Sequence, residues 1–189
     1  MKSILISIQP KWVEKIVNGE KTIEVRKTRP KIETPFKCYI YMSQGDLKDL
    51  GSYREWIYKN RMKVIGEFIC DNVFLLHPYS YDGGNADLDR RKFIETFEKS
   101  SNHNEILSET CLSQDEMFDY IGEGNYGYGW HISKLKVYDK PKKLKDCCIP
   151  CKTNCEYCKK PLFYDCWKEK GKVKVVTRQP QSYMYVEEI

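Results

Sequence analysis

Lys21, Glu24 and Arg26 lie within six residues of one another near the start of the chain. If Thr22 to Arg26 is extended, alternation sends Thr22, Glu24 and Arg26 to one face and Ile23 and Val25 to the other. A carboxylate then shares a face with a guanidinium, and the Lys21 ammonium stands at the strand's entrance. Such a set can hold a phosphate or carbonyl through Lys21 and Arg26 and an exocyclic amine through Glu24. It can also do acid–base work, with Glu24 as general base and Lys21 stabilising developing negative charge. The alternative is a buried ion pair that braces the fold, an arrangement that is costly to desolvate. Lys21 and Glu24 are the candidate catalytic residues; both, with Arg26, are candidate ligand contacts.

A second chemistry is concentrated in sulfur. Six of the nine cysteines, Cys147, Cys148, Cys151, Cys155, Cys158 and Cys166, fall within twenty residues. In an intracellular chain such density favours a metal over disulfides. Cys151, Cys155, Cys158 and Cys166 supply four thiolates, enough for a closed tetrahedral structural zinc. A register in which Cys148 replaces one of them fits as well, and unliganded thiols or disulfides remain the alternative. The insertion, at about 147–170, displays Lys152, Lys159 and Lys160 around the staple. Cys38, Cys70 and Cys111 are scattered and read as small buried hydrophobes.

Aromatic residues offer a third feature. Gly122, Gly124, Gly127 and Gly129 surround Tyr126 and Tyr128, which reads as an exposed platform on which a base can stack. Trp12 and Trp130 can stack too, but core packing is the commoner fate of tryptophan. Strand alternation turns His131 away from Trp130. Arg178 and Gln181 flank Pro180 and can reach a cleft or cap the last strand.

The elements that would position these groups are short. Ser3 to Ile8 reads as a buried strand. Pro10 suits a first helical position, Trp12, Val13, Ile16 and Val17 form an apolar stripe, and Gly19 closes the helix. Strand, helix and strand thus occupy 27 residues. Phe36–Ser43 and Lys63–Phe74 read as strands, 78–85 as a loop, 87–99 as a weak helix and 100–104 as a loop. Ser113 with Glu116 is a capping box that opens a helix through Met117 and Ile121. Trp130–Tyr138 reads as one strand, and Val173–Val186 as β-like residues broken at Pro180. Many strands with few short helices indicate a single α+β domain over 1–189: a small mixed β-barrel with helical insertions.

Composition narrows the function classes. Aromatic residues make up 13% and charged residues 31% of the 189, so the chain can bury one core and is not built for disorder. No apolar run approaches the ~20 residues that span a bilayer, and the N-terminus does not read as a signal peptide. A cytoplasmic protein with no membrane role is expected. Net charge is +5, distributed as +5 over residues 1–31, −6 over 32–139 and +6 over 140–189. If the basic ends meet in space they form a face suited to nucleic acid.

The segment Gly19-x-Lys21-x-x-Glu24-x-Arg26, placed after a strand and helix, resembles the hallmark of the ASCH family, part of the PUA-like superfamily. The lead-in from Ile4 to Ile16, the stretch Tyr126–Ile132 and the stretch Thr177–Tyr183 are similar to small bacterial and phage ASCH proteins, so the likeness covers most of the chain. It implies a PUA-like β-barrel whose cleft lies beneath the helix and binds RNA or a modified nucleoside. In one branch such a cleft hydrolyses N4-acetylcytidine with a lysine, a threonine three residues on and a distant glutamate. The lysine falls on Lys21, but Glu24 occupies the threonine position, and Glu116 is the candidate for the distant acid. Other members are reported to cut RNA, which needs no hydroxyl nucleophile. The expectations are therefore a binder of RNA or a modified nucleoside, a hydrolase (amidohydrolase or ribonuclease) in the same cleft, or a phage-encoded protein that binds a host factor.

Overall fold

The structure is a computed structural model and describes residues 2–48, 50–79, 92–95, 103–122, 125–149 and 175–189. It opens with strand β1 (Lys2–Ile8) and helix α1 (Pro10–Val17), which has Pro10 in its first turn and half-closes at Asn18. Gly19 then takes φ +76°, a conformation that L side chains resist, and turns the chain into β2 (Ile23–Arg26). β3 (Phe36–Met42) follows, then α2 (Arg54–Asn60), β4 (Lys63–Cys70) and β5 (Val73–Tyr79). β6 (Lys92–Glu95), α3 (His103–Thr110), α4 (Gln114–Ile121), β7 (Gly127–His131), β8 (Ser133–Lys143) and β9 (Tyr183–Glu187) complete the order.

These strands form two sheets, ordered β8-β4-β3-β1-β9 and β2-β7-β5-β6. The first is mixed, because β1 pairs with β3 in parallel and the other neighbours are antiparallel. Its central strands are apolar on both faces. Ile4, Ile6 and Ile8 pack with Val13, Ile16, Ile40, Phe68 and Trp130 on one side, and Leu5 packs with Tyr39, Tyr41 and Val186 on the other. Burial on both faces is why β1 reads as a nearly continuous apolar run rather than a polar–apolar alternation.

The expected closed barrel is not what the described residues form, because the chain changes sheets in the middle of two predicted strands. Lys63–Phe74 divides at Asp71–Asn72 into β4 and β5, and Trp130–Tyr138 divides at Ile132 into β7 and β8. The two corners fasten to each other. The His131 N–H donates to the Asn72 carbonyl at 3.0 Å, and His131 Nδ1 lies 2.6 Å from Asp71 Oδ1. Two further expectations are corrected. Within the predicted helix 87–99, residues 92–95 pair with β5 as a strand. Within the predicted loop 100–104, His103 begins α3. α2, with a single buried residue, Ile57, carried no periodic signal. The capping box of Ser113 and Glu116 is present in both directions.

Most of the Cys-rich insertion, with Cys151, Cys155, Cys158 and Cys166, lies outside the described residues. Cys147 is buried and Cys148 bridges to Val175 where the chain leaves and returns. No group of three or more metal-capable side chains occurs among the described residues. No helix among them is long and apolar enough to cross a membrane.

Two substitutions test this architecture. Trp130 is fully buried and meets Phe36 and Tyr183 edge-on, at 5.7 and 5.1 Å between ring centroids. Trp130→Ala is expected to lower unfolding free energy by about 3–5 kcal/mol in urea titrations. A Cβ on Gly66 would meet the Lys136 carbonyl oxygen at 2.5 Å, and backbone yields less readily than a side chain. Gly66→Ala is expected to cost about 1–3 kcal/mol by spreading β4 from β8.

Candidate functional site

β2 places the charged trio where the two sheets approach. Ile23 and Val25 pack with Leu76, Met117 and Ile121, which turns Glu24 and Arg26 toward β1. Lys21, just before the strand, is 2% exposed, and Glu24 and Arg26 are each 6% exposed. The Glu24 carboxylate is shared: Oε1 lies 3.0 Å from Arg26 Nη2, and Oε2 lies 3.5 Å from Lys21 Nζ. Each cation also holds a backbone carbonyl. Lys21 Nζ donates to Thr110 O and Arg26 Nη2 to Ser7 O, both at 2.6 Å.

The Thr110 contact has a local cause. The last carbonyls of a helix have no intrahelical partner and form the negative end of its dipole. At the end of α3 the Thr22 N–H takes the Glu109 carbonyl and the Lys21 ammonium takes that of Thr110. Cys111 follows with φ +55° and ends the helix. Burial lowers the pKa of Lys21 below its ordinary value, and the neighbouring Glu24 carboxylate opposes the shift. One donor stays unused: Arg26 Nε is buried without a hydrogen-bond partner.

The trio forms part of the wall of a cleft of about 540 Å3. Ser7 and Ile8 from the end of β1, Gln9 at the start of α1, and Lys11 and Trp12 from α1 line one side. Leu112, Glu116, Asp119 and Tyr120 line another, and a strap at Gln179–Gln181 lines a third. The strap is tied by the Ser7 N–H to the Ser182 carbonyl at 2.9 Å. Burial raises the pKa of the Tyr120 hydroxyl, and the nearby Arg26 guanidinium opposes it. Trp12 is near two cations, with Lys11 Nζ 4.2 Å and Lys21 Nζ 5.2 Å from its ring centroid.

Of the residues singled out from the sequence, Lys21, Glu24, Arg26, Trp12, Glu116 and Gln181 line the cleft. Tyr126 is exposed and Tyr128 packs against the core, and neither is part of the cleft wall. Arg178 is exposed one residue before the strap. Trp130 is core and His131 serves the corner described above. Sequence reading passed over Asp119 and Tyr120, although the capping box places both three and four residues past Glu116 on a helix, so that they recur near its face. The carbonyls of Ser7 and Thr110 left no signal, because every residue carries one.

Residues 6–69 match the model of the ASCH domain. Solved structures of ASCH from Zymomonas mobilis and of two point variants of it share the fold. The ASCH structure aligns at TM-score 0.53 and 15% identity, covering 98% of this chain and 88% of the other. The variants align at 0.52 and 0.51, each at 14% identity; the first covers all of this chain and 92% of its own, the second 98% and 89%. No curated protein matches the chain. The likeness to ASCH proteins thus appears both in the motif-bearing segment and in the α+β architecture.

The depressed Lys21 fixes a sign. Between its folded pKa and the ordinary 10.5, the unfolded chain binds more protons, so stability rises with pH across that window. The penalty is present in full below the folded pKa and gone above 10.5. Lys21→Met is expected to remove this rise, read as the difference between urea-unfolding free energies of the two proteins at successive pH values. Glu24→Ala, which strands two buried cations, is expected to cost about 3–5 kcal/mol in the same assay.

Proposed function

We propose that the cleft binds RNA or a modified nucleoside, with Lys21, Glu24 and Arg26 as its polar floor. The observation that carries this reading is the trio's position. All three are nearly buried, yet all three line an open cleft, and Arg26 keeps a buried donor without a partner. A purely structural ion pair gains nothing from facing a cavity, whereas a ligand replaces lost hydration with hydrogen bonds. Glu24 accepts from an exocyclic amine, Arg26 and Lys21 donate to ring or carbonyl oxygens, and Trp12 and Tyr120 supply apolar surface. The ASCH likeness supports the same class of ligand.

A hydrolase in the same cleft is the second reading, favoured by the lowered pKa of Lys21. A perturbed lysine in a cleft is a candidate proton carrier, with Glu24 beside it as general base. For the insertion, we propose a structural zinc on Cys151, Cys155, Cys158 and Cys166, supported by thiolate number and spacing.

Titration with a nucleoside panel and single-stranded RNA separates these readings. Lys21→Met is expected to weaken binding about tenfold or more, the value of a charge-assisted hydrogen bond, while circular dichroism stays unchanged. Wild type that releases acetate from N4-acetylcytidine, or shortens RNA, with loss of product in Lys21→Met, would establish the hydrolase. No binding and no product from either ligand class would refute both. Metal analysis is expected to find about one zinc per chain, with melting temperature lowered by chelator.

A further inference from the structure

The cleft's own charge is balanced. Lys11, Lys21 and Arg26 face Glu24, Glu116 and Asp119, so three cations meet three carboxylates. Such a cleft suits a neutral polar group and gives little attraction to a phosphate. Among the described residues, cations without an ion pair lie to either side. On one flank, β2 runs out into Lys27, Arg29 and Lys31, all exposed. Lys27 Nζ is 5.3 Å from the ring of Tyr120 on the cleft wall, and the Arg29 carbonyl and Lys31 N–H are held by the Tyr183 and Tyr185 hydroxyls of the edge strand β9.

On the other flank, β4 begins where β3 ends. Ser7 and Ile8, which line the cleft, pair with Tyr41 and Met42, and Tyr41 pairs with Val64. Lys63 then lies opposite Lys143, and Val64 opposite Lys142, on edge strand β8. The row Ile8, Met42, Lys63, Lys143 thus crosses one end of the sheet, with Lys63 about 10 Å and Lys143 about 14 Å from β1 by strand spacing. Like charges directly opposite in a ladder are destabilising. None of the six flanking cations is in an ion pair among the described residues.

We infer that the ligand is a polynucleotide single strand rather than a free nucleoside: one base occupies the neutral cleft while the backbone on its two sides runs over Lys27, Arg29 and Lys31 and over Lys63 and Lys143, which share a face of the sheet. The inference rests on the cleft reading above and adds the division of labour: the cleft reads the base and the sheet edges hold the phosphates. The first flank is tied to edge strand β9, and the second reaches edge strand β8 at the opposite side of that sheet. The basic ends of the sequence thus converge around the site from separate parts of the chain.

The test measures binding of a fluorescent single-stranded RNA of about 12 nucleotides, a typical single-strand site size, by anisotropy over a range of salt. Each pair, Lys27→Gln with Lys31→Gln and Lys63→Gln with Lys143→Gln, is expected to reduce the log–log salt slope by about 1.4 and low-salt affinity roughly tenfold. Neither pair is expected to change binding of a free nucleoside. All four residues are at or near the surface, and melting temperatures confirm that each variant folds. An unchanged slope in either pair overturns the inference. So does wild-type binding to phosphatidylserine vesicles without binding to RNA. If the slopes are unchanged while Lys21→Met still weakens nucleoside binding, the track fails and the cleft reading stands. If the slopes fall but Lys21→Met has no effect on RNA or nucleoside, the cleft reading fails, and with it the threaded path.

Discussion

The Glu24 carboxylate, shared between Lys21 and Arg26 where water is nearly excluded, is the contact on which the site and the meeting of the two sheets depend. Through Arg26 it reaches the Ser7 carbonyl on β1, in the five-stranded sheet. Through Lys21 it reaches the end of α3 at Thr110. Two cations around one anion leave a net positive charge in low dielectric, and the two backbone carbonyls offset part of that cost. The arrangement persists because β2 is fixed independently. Its Ile23 and Val25 are locked into an apolar cluster with Met117 and Ile121, so the polar side chains have no other direction to take.

The cleft is the space left where two sheets fail to close on each other. The chain passes between them at Asp71–Asn72 and again at Ile132, and these corners are joined by the His131–Asn72 and His131–Asp71 hydrogen bonds. A single continuous sheet would carry β4 into β5 and β7 into β8 without interruption, and would surround its interior. Two sheets joined at one corner can diverge elsewhere, and α1, α4 and the strap at Gln179–Gln181 line the opening.

Much of this was legible in residue patterns. Pro10, the apolar stripe of α1, Gly19 and the alternation of β2 gave the strand, helix and strand that carry the trio, each by a local rule. The Ser113–Glu116 box gave the start of α4. Where local signals were weak or shared by helix and strand, the reading went astray. Residues 92–95 are held as a strand by pairing with β5, and His103–Thr110 is held as a helix that abuts β2. The unbroken β-rich runs at 63–74 and 130–138 gave no hint of their divisions. A change of sheet needs only a few residues of altered backbone, and these lie between segments of equal β propensity.

The sequence by itself determined which residue types form the site and which way they face, because alternation along β2 is a property of the backbone and needs no partner. It also determined that the ends of the chain are basic. Only the tertiary structure decided what those residues meet. The carbonyls of Ser7 and Thr110 are 19 and 89 residues away from the cations they hold, and a carbonyl has no residue type by which it can be found. Tertiary structure likewise left Tyr126, Tyr128 and Arg178 off the cleft wall and put Asp119 and Tyr120 on it. Which side chains share a cavity depends on how separate elements pack, and packing is fixed by contacts far apart in the chain.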